Sequence, residues 1–329
     1  MRKDKLNIGK FIPALLAGVL VIFALLFSCS LVGSVEDLVG KGAREAGDLI
    51  TSSSGLKLAW IPAGTFIMGS PTTEPDRQAE ETQHSVALTK GFYMGIYQVT
   101  QDQYQPVMGI NPSYFNNDPA SGEVQGKRPV EKVTWYDAVE FCNKLSEMEG
   151  FATAYSITGR TPASGYPITN ATVTIDWNAS GYRLPTEAQW EYACRAGTTT
   201  AYNTGNTISD NIGWHYFNSD SDGSGRKTHE IGKKPANAWG LYDMHGNVQE
   251  WCWDWHSYDY NDSFQTRTST TATGNEDPAG SLPGTIRMLR GGSWRNSADI
   301  LRSAYRAAFL PKEQSDNWGF RVVLPASSY

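Results

Sequence analysis

The chain closes with LRGGSW at residues 289–294, LRSAYR at 301–306 and WGFRVV at 318–323. Large apolar rings and arginines recur in these pieces, and the residues between them show no recurring type of side chain. Because an arginine is rarely buried unless its charge is paired, the pieces predict a rigid frame of buried rings and paired guanidiniums. The members of this frame are Arg290, Trp294, Arg302, Arg306, Trp318 and Phe320.

Between the frame residues lie thirteen positions whose side chains include basic, acidic, polar, aliphatic and aromatic groups. Their spacing has no period that would place them on one face of a helix or strand. Mixed side chains on a rigid scaffold form a binding surface that loses little entropy when it binds. We therefore predict a ligand-binding face, with Tyr305 and Phe309 as its aromatic anchors. Ordinary surface residues without a ligand are the alternative. The face consists of Arg295, Asn296, Ser297, Asp299, Ile300, Tyr305, Ala307, Ala308, Phe309, Lys312, Glu313, Ser315 and Asp316.

The composition predicts one large, loop-rich domain. The 329 residues include 32 Gly and 11 Trp, which is typical of an irregular fold held by large buried rings. No internal repeat of roughly 20–50 residues is present, which argues against solenoids and propellers.

The N-terminus has the features of an export signal. Basic residues precede an apolar run from Phe11 to Phe27, and Ser28-Cys29 follows. The sequence LFSC at 26–29 resembles a bacterial lipobox, in which Cys29 is acylated and becomes the mature N-terminus. An uncleaved anchor is the alternative, although the run is short for a membrane span. We predict a signal peptide at residues 1–28, a lipidated tether at 29–55 and one domain at 56–329.

Charge and cysteine usage exclude further classes of protein. Without residues 1–28 the chain carries 24 basic and 33 acidic residues. An acidic surface without a Lys/Arg stripe argues against nucleic acid as a partner. Cys142, Cys194 and Cys252 form no CxxC pair and are expected to be buried free thiols. A single Cys142–Cys194 disulfide is the alternative in an exported protein.

Local signals predict several elements of the domain. Alternation at residues 58–70 indicates a hairpin turning at Ala63-Gly64, and a further strand is expected at 91–99. Helices are expected after Thr100, Thr134 and Thr186, from capping boxes or from helical apolar spacing. Residues 156–178 and 202–234 are expected to be irregular excursions that need internal order or a bound ion.

Several ordered motifs resemble the formylglycine-generating-enzyme, or sulfatase-modifying-factor, family over about residues 58–325. They are PAGTFxMG at 62–69, YQVT at 97–100, PVxxVTWxDA at 129–138, RLPTEAQWEYA at 183–193, NxWGLYDMxGNVxEW at 237–251, RGGSW at 290–294 and GFR at 319–321. The resemblance implies an α+β, C-type-lectin-like fold, rich in loops and low in regular secondary structure. It also implies that the N- and C-terminal strands pair.

Catalysis does not follow from this resemblance. The family's catalytic members bind copper through two cysteines that would fall near Asn296 and Leu301, where this chain has none. Their late cysteines, which bridge to the equivalents of Cys142 and Cys194, are also missing. We therefore expect no copper and no enzyme activity, with a formylglycine-type oxidoreductase of altered chemistry as the alternative. The five histidines show no paired metal spacing.

The resemblance also implies a structural Ca²⁺ site. Family calcium ligands correspond to Asp243, Gly246, Val248 and Glu250, where carboxylates and backbone carbonyls suit a hard cation. In the alternative, Asp243 caps a turn and Glu250 pairs with an arginine. A second family site near Asn211-Ile212 lacks its acidic partner and is not expected.

The spacing of the closing segment is similar to that of a narrower group, surface lipoproteins that retroelements diversify. This similarity implies display at a bacterial outer membrane or cell surface, with the lipid anchor in the membrane. It also implies binding of a macromolecular ligand, protein or glycan, by a monomer whose face differs between gene copies.

Overall fold

The computed structural model describes residues 44–256, 276–279 and 284–329. The chain from Glu45 to Tyr329 forms one compact unit. The predicted signal peptide and Cys29 lie outside the described residues. No helix in the described ranges is long and apolar enough to cross a membrane.

Regular secondary structure is sparse, as predicted. The helices of the described residues are α1 (Gln101–Met108), α2 (Trp135–Met148) and α3 (Glu187–Arg195). The strands are β1 (Leu49–Thr51), β2 (Lys57–Ile61), β3 (Gly64–Met68), β4 (His84–Leu88), β5 (Phe92–Gly95), β6 (Tyr155–Thr161), β7 (Asn170–Ile175), β8 (Gln249–Trp255), β9 (Arg287–Arg290), β10 (Ala307–Phe309), β11 (Trp318–Gly319) and β12 (Val323–Pro325). Short 3-10 helices lie at Gln125–Lys127, Ala298–Leu301 and Ala326–Ser328.

One four-stranded sheet joins the two ends of the domain in the order β1-β2-β5-β12. The last strand therefore lies in the sheet of the first strands, but it pairs with β5 rather than with β1 or β2. Residues Leu49–Thr51, expected in the tether, pair with β2 instead. The compact unit thus begins ahead of the expected boundary at residue 56.

The predicted hairpin at Ala63-Gly64 is wrong. Strand β2 is hydrogen-bonded to β1 on one edge and to β5 on the other, so no edge is left for β3. Strand β3 pairs with β4 in a separate two-stranded sheet. The alternation in the sequence identified both strands, but it could not identify their partners. The strand expected at 91–99 is present as the shorter β5.

The three helices begin where the sequence predicts. The hydroxyls of Thr100, Thr134 and Thr186 accept hydrogen bonds from the backbone N–H three residues later, at 3.2, 3.0 and 3.2 Å. The side chain at that third position bonds back to the cap in each case. These reciprocal bonds satisfy N–H groups that have no partner within the helix.

A second sheet, ordered β10-β9-β8-β11, carries the closing segment. Strand β9 pairs antiparallel with both β8 and β10, and β11 runs parallel to β8. This sheet places residues 307–309 and 318–319 on opposite edges, so the residues between them connect the two edges.

The two predicted excursions differ. Residues 156–178 are not wholly irregular, because β6 and β7 form an antiparallel hairpin. Residues 202–234 contain no helix or strand. This loop is ordered by side chains instead: Asn218 Nδ2 donates to the carbonyl of Gly213 at 2.9 Å. The side chain of Asn247 donates to the carbonyl of His229 and accepts from its N–H, both at 3.0 Å.

Large rings fill the core. One apolar cluster surrounds α2 and includes Trp135, Trp251 and Phe320, and a second surrounds α3 and includes Trp190. The indole N–H of Trp135 donates to the carbonyl of Cys252 at 2.9 Å, so its burial leaves no unpaired donor. Cys142, Cys194 and Cys252 are buried and free, without the alternative disulfide.

Candidate ligand-binding face

The frame arginines are buried against carboxylates far away in the sequence. Arg302 Nη1 lies 2.7 Å from both Glu74 Oε1 and Glu81 Oε2, and all three side chains are almost fully buried. Burial raises the pKa of Glu81, but its hydrogen bonds with Arg302 and Ser70, the charge of Arg302 and the N–H of Gln78 together leave that pKa lowered. The segment after residue 300 is thereby fixed to the loop that contains Glu74 and Glu81.

Two further arginines attach the segment to α3. Arg306 makes a bidentate pair with Glu187, Nε to Oε1 at 2.7 Å and Nη2 to Oε2 at 2.8 Å. Arg290 pairs with Glu191 and donates to the carbonyl of Ser303 at 3.0 Å. A bidentate guanidinium–carboxylate pair fixes orientation as well as position. These pairs bear out the predicted paired guanidiniums.

The frame rings close the two ends of the segment. Trp294 Nε1 donates to the carbonyl of Asp316 at 3.1 Å, which joins the start of the face to its end. Trp318 packs edge-on against Trp251 with ring centroids 5.5 Å apart. All six frame residues are buried.

None of the thirteen face positions is buried. The exposed ones are Arg295, Ser297, Phe309, Lys312 and Glu313. The partly exposed ones are Asn296, Asp299, Ile300, Tyr305, Ala307, Ala308, Ser315 and Asp316. Within one stretch of chain, the structure therefore separates frame from face as the sequence predicts.

The structure brings some of the face residues together and gives others a packing role. Arg295 Nη1 lies 3.1 Å from Asp316 Oδ1, so the first and last parts of the face adjoin. Ala307 and Ala308 pack partly against different apolar clusters, as alternate residues of a strand must. Phe309 is 38% exposed, and its ring centroid lies 4.3 Å from that of Trp318. Phe309 is thus both a candidate anchor and a packing residue.

The four expected calcium ligands converge on one side chain that the sequence analysis missed. Gln98 Nε2 lies 3.2, 3.1 and 2.9 Å from the carbonyl oxygens of Asp243, Gly246 and Val248, and 3.0 Å from Glu250 Oε1. An amide NH2 has two protons, so it satisfies only two of these four acceptors. The motif YQVT contains Gln98, but nothing in its sequence points to this contact.

The carbonyls of Asp243, Gly246 and Val248 and the carboxylate of Glu250 form an oxygen-lined cage around Gln98. Unpaired polar atoms at this cage fit a cation. Gln98 Oε1 and Asp243 Oδ1 are buried without a hydrogen-bond partner in the described residues. Since amide O and N are exchanged by a half-turn of the amide, Gln98 can present an oxygen to the same centre. Several oxygens around one point are what Ca²⁺ requires. The Asp243 carbonyl faces Gln98 Nε2, and in its carboxylate Oδ2 accepts from the Gly232 N–H at 2.8 Å whereas Oδ1 is left for a cation.

The expected alternative pairing of Glu250 is also present. Arg321 Nε and Nη2 lie 2.6 and 2.8 Å from its two oxygens, and Trp190 Nε1 donates to Oε2 at 2.7 Å. Burial raises the pKa of Asp243 to about 6. The cage has three carbonyls, the Glu250 carboxylate, which Arg321 partly neutralises, and the unpaired Oδ1 of Asp243.

Positions 296 and 301, where catalytic relatives would carry copper-binding thiolates, have structural roles. Leu301 is fully buried with Tyr202 and Ile212, and the Asn296 carbonyl accepts from the Tyr216 N–H at 2.9 Å. The described cysteines are fully buried, and burial raises the pKa of Cys194 to about 12. Their sulfurs are therefore protonated at neutral pH and face the interior.

Comparison with known proteins places this geometry in a family. The sulfatase-modifying factor enzyme 1-like domain profile matches residues 51–326. The structure of Treponema denticola variable protein 1 is 36% identical with a TM-score of 0.72, over 84% of this chain and 98% of that one. Chaperone protein LppX of Paenibacillus barcinonensis is 35% identical over 70% of this chain and 79% of that protein. Mouse formylglycine-generating enzyme is 28% identical over 81% of this chain and 74% of that protein.

Proposed function

The chain belongs to the sulfatase-modifying factor enzyme 1-like family, with its C-type-lectin-like fold, and we propose that it is a non-catalytic, surface-displayed lipoprotein that binds a macromolecular ligand through the face. The observation that carries this proposal is the burial pattern between Trp294 and Trp318. Every frame residue is buried and every face position has exposed area. Side chains of the face can therefore be exchanged with little effect on the frame, except at Ala307, Ala308 and Phe309, which pack partly inward.

Diversification by a retroelement is part of the proposal. Its support is the similarity to a solved variable protein, together with the position of the thirteen residues outside the core. A face that differs between gene copies would bind different proteins or glycans, while the buried ion pairs keep the fold constant.

The binding proposal is tested with two displayed libraries of the chain. One randomises the thirteen face positions, and the control randomises thirteen exposed positions between residues 156 and 178. Both are selected against hen egg-white lysozyme as the probe. Binders are expected from the face library alone. A face library without binders, or a control library with as many, would overturn the proposal.

The runner-up is a formylglycine-type oxidoreductase with altered chemistry, since relatives named formylglycine-generating enzymes share the domain. Purified protein with copper and a sulfatase-motif peptide is expected to leave the peptide cysteine unchanged. Conversion above a heat-killed control would replace the binding proposal with the enzymatic one.

A lipid anchor and a structural Ca²⁺ ion complete the proposal. Acylation of Cys29 would hold the protein on a membrane, and Cys29→Ala is expected to abolish lipid labelling and to release the protein.

A structural Ca²⁺ would be held by the oxygens of Gln98, Asp243, Gly246, Val248 and Glu250. When bound, it would supply positive charge to a cage in which acceptors outnumber donors.

A further inference from the structure

A polar cavity of about 370 Å³ lies beside the face, lined by residues that belong neither to the face nor to the frame. Its walls come from two separate segments, Tyr114 and Asn117 on one side and Ser224, Arg226 and Lys227 on the other. Phe115 on the same wall packs edge-on against Trp294, with centroids 5.2 Å apart. The cavity is thus fixed to the frame.

Arg226 is held in place at this cavity while its charged end is unused. Its guanidinium carbon lies 3.8 Å from the centre of the Tyr216 ring, and its Nε donates to the Tyr216 carbonyl at 2.6 Å. Neither Nη atom has a hydrogen-bond or ion-pair partner among the described residues. A planar guanidinium already fixed by stacking binds a carboxylate with two parallel hydrogen bonds at little entropic cost.

One of the two cations at the cavity has no counterion among the described residues. Arg226 and Lys227 line the cavity with Asp118, and the lining N–H groups of Gly225 and Ser224 donate to two further carboxylates, Asp220 at 2.8 Å and Asp222 at 3.1 Å. Lys227 is committed to Asp118, with Nζ 3.5 Å from Oδ2 and 3.1 Å from the carbonyl oxygen. That pair leaves Arg226 as the cation available to a ligand.

The remaining wall fits a sugar ring. Tyr114 is 64% exposed, so an apolar ring face is available for stacking. The side-chain amide of Asn117 offers a donor and an acceptor to hydroxyl groups, and the Ser224 hydroxyl, which donates to Asp222, offers an acceptor. The volume exceeds what one carboxylate side chain needs and lies within the range of about 300–1,000 Å³ for small-molecule sites.

We infer that this cavity binds an acidic saccharide, a sugar ring whose carboxylate is held by Arg226 and whose face stacks on Tyr114. The site uses residues outside the face, so it goes beyond the function proposed above. A saccharide-bearing ligand could contact the cavity and the face together, because the Asn296 carbonyl accepts from the Tyr216 N–H.

The test is calorimetric binding of the full-length protein to a hyaluronan tetrasaccharide, which alternates glucuronate and N-acetylglucosamine. We expect Arg226→Gln to weaken binding by at least about tenfold, because charge-assisted bonds are the strong ones. Tyr114→Ala is also expected to weaken it, and Lys57→Gln, an equal loss of charge at an exposed remote position, is expected to leave it unchanged. The melting temperatures of the variants serve as the check on folding.

A further variant and two further ligands distinguish binding in the cavity from binding at the face. The double variant Arg295→Ala, Lys312→Ala is expected to retain saccharide binding. If it loses binding while Arg226→Gln retains it, the sugar occupies the face and the cavity assignment is wrong. No binding of the tetrasaccharide, equal binding of its carboxyl-reduced form, or tighter binding of hexaglutamate would also overturn the inference.

Discussion

The closing segment (289–323) and the loop at 202–234 adjoin, and both have little regular secondary structure, yet different interactions order them. In the closing segment, Arg290, Arg302, Arg306 and Arg321 each meet a buried carboxylate. The loop also has charged contacts, Lys227 with Asp118 and His229 with Glu123, but side chains that bond to backbone groups, as between Asn247 and His229, fix its course. Both kinds of anchor fix an irregular chain, but removal of the ionic anchors leaves a buried charge and is therefore expected to cost more.

The greatest loss of stability is expected at Arg302. Arg302→Met would leave Glu74 and Glu81 buried without their partner, and breaking a buried pair in this way costs about 3–5 kcal/mol. Urea unfolding measures the loss. Arg295→Met is the matched control, because Arg295 has a side chain that is 51% exposed and pairs with Asp316 at the surface, where pairs contribute about 0–1 kcal/mol. Equal losses in the two variants would remove the distinction between frame and face.

The second prediction concerns the proposed Ca²⁺ site in the cage around Gln98. If Ca²⁺ binds the native state alone, a concentration one hundred times its Kd adds about 2.7 kcal/mol to the free energy of unfolding. Melting in calcium and in chelator measures this shift. Gln98→Leu and Glu250→Ala are expected to abolish it, and the exposed control Gln314→Leu is expected to keep it. Equal melting of the unmodified protein under both conditions would contradict the calcium proposal.

Asn247 tests the anchors of the loop. Its φ of +65° is left-handed, so Asn247→Gly removes the side chain without adding backbone strain. The variant leaves the backbone N–H and C=O of His229 without these bonds, and each unmet group costs about 1–3 kcal/mol. We expect a loss of at least about 2 kcal/mol by urea unfolding, and a smaller one than at Arg302, because the groups left unpaired here are neutral and not charged. Asn116→Ala, at an exposed position, is the control, and a loss at Asn247 as large as at Arg302 would contradict the ranking.

The smallest effect is within the face. Phe309→Ala is expected to cost about 1 kcal/mol, the scale of an aromatic pair, because its ring packs on Trp318. The exposed neighbours Lys312→Ala and Glu313→Ala are expected to stay within about 0.5 kcal/mol. Thermal unfolding compares the three. No loss at Phe309 would make it a pure face residue, and losses at all three would make this part of the face structural.

The sequence predicted what depends on local pattern and missed what depends on distant partners. The capped helices and the buried rings follow from residues close together in the chain. The partners of Arg302 lie 228 and 221 residues away, so the sequence could predict that the arginine is paired but not which residues pair with it. The same limit explains why the predicted β2–β3 hairpin is wrong, since both edges of β2 pair with other strands, β1 and β5. It also explains why Gln98 was missed, because the cage oxygens come from about 150 residues further along.

A replaceable face on a constant frame can be observed by sequencing the coding segment for residues 289–323 across independent clonal populations of cells that carry this gene. We expect amino-acid differences to fall on the thirteen face positions and to arise from changed adenines. Arg290, Trp294, Arg302, Arg306, Trp318 and Phe320 are expected to stay constant. Differences spread evenly over frame and face, or no differences across many populations, would show that the face is not a replaceable surface.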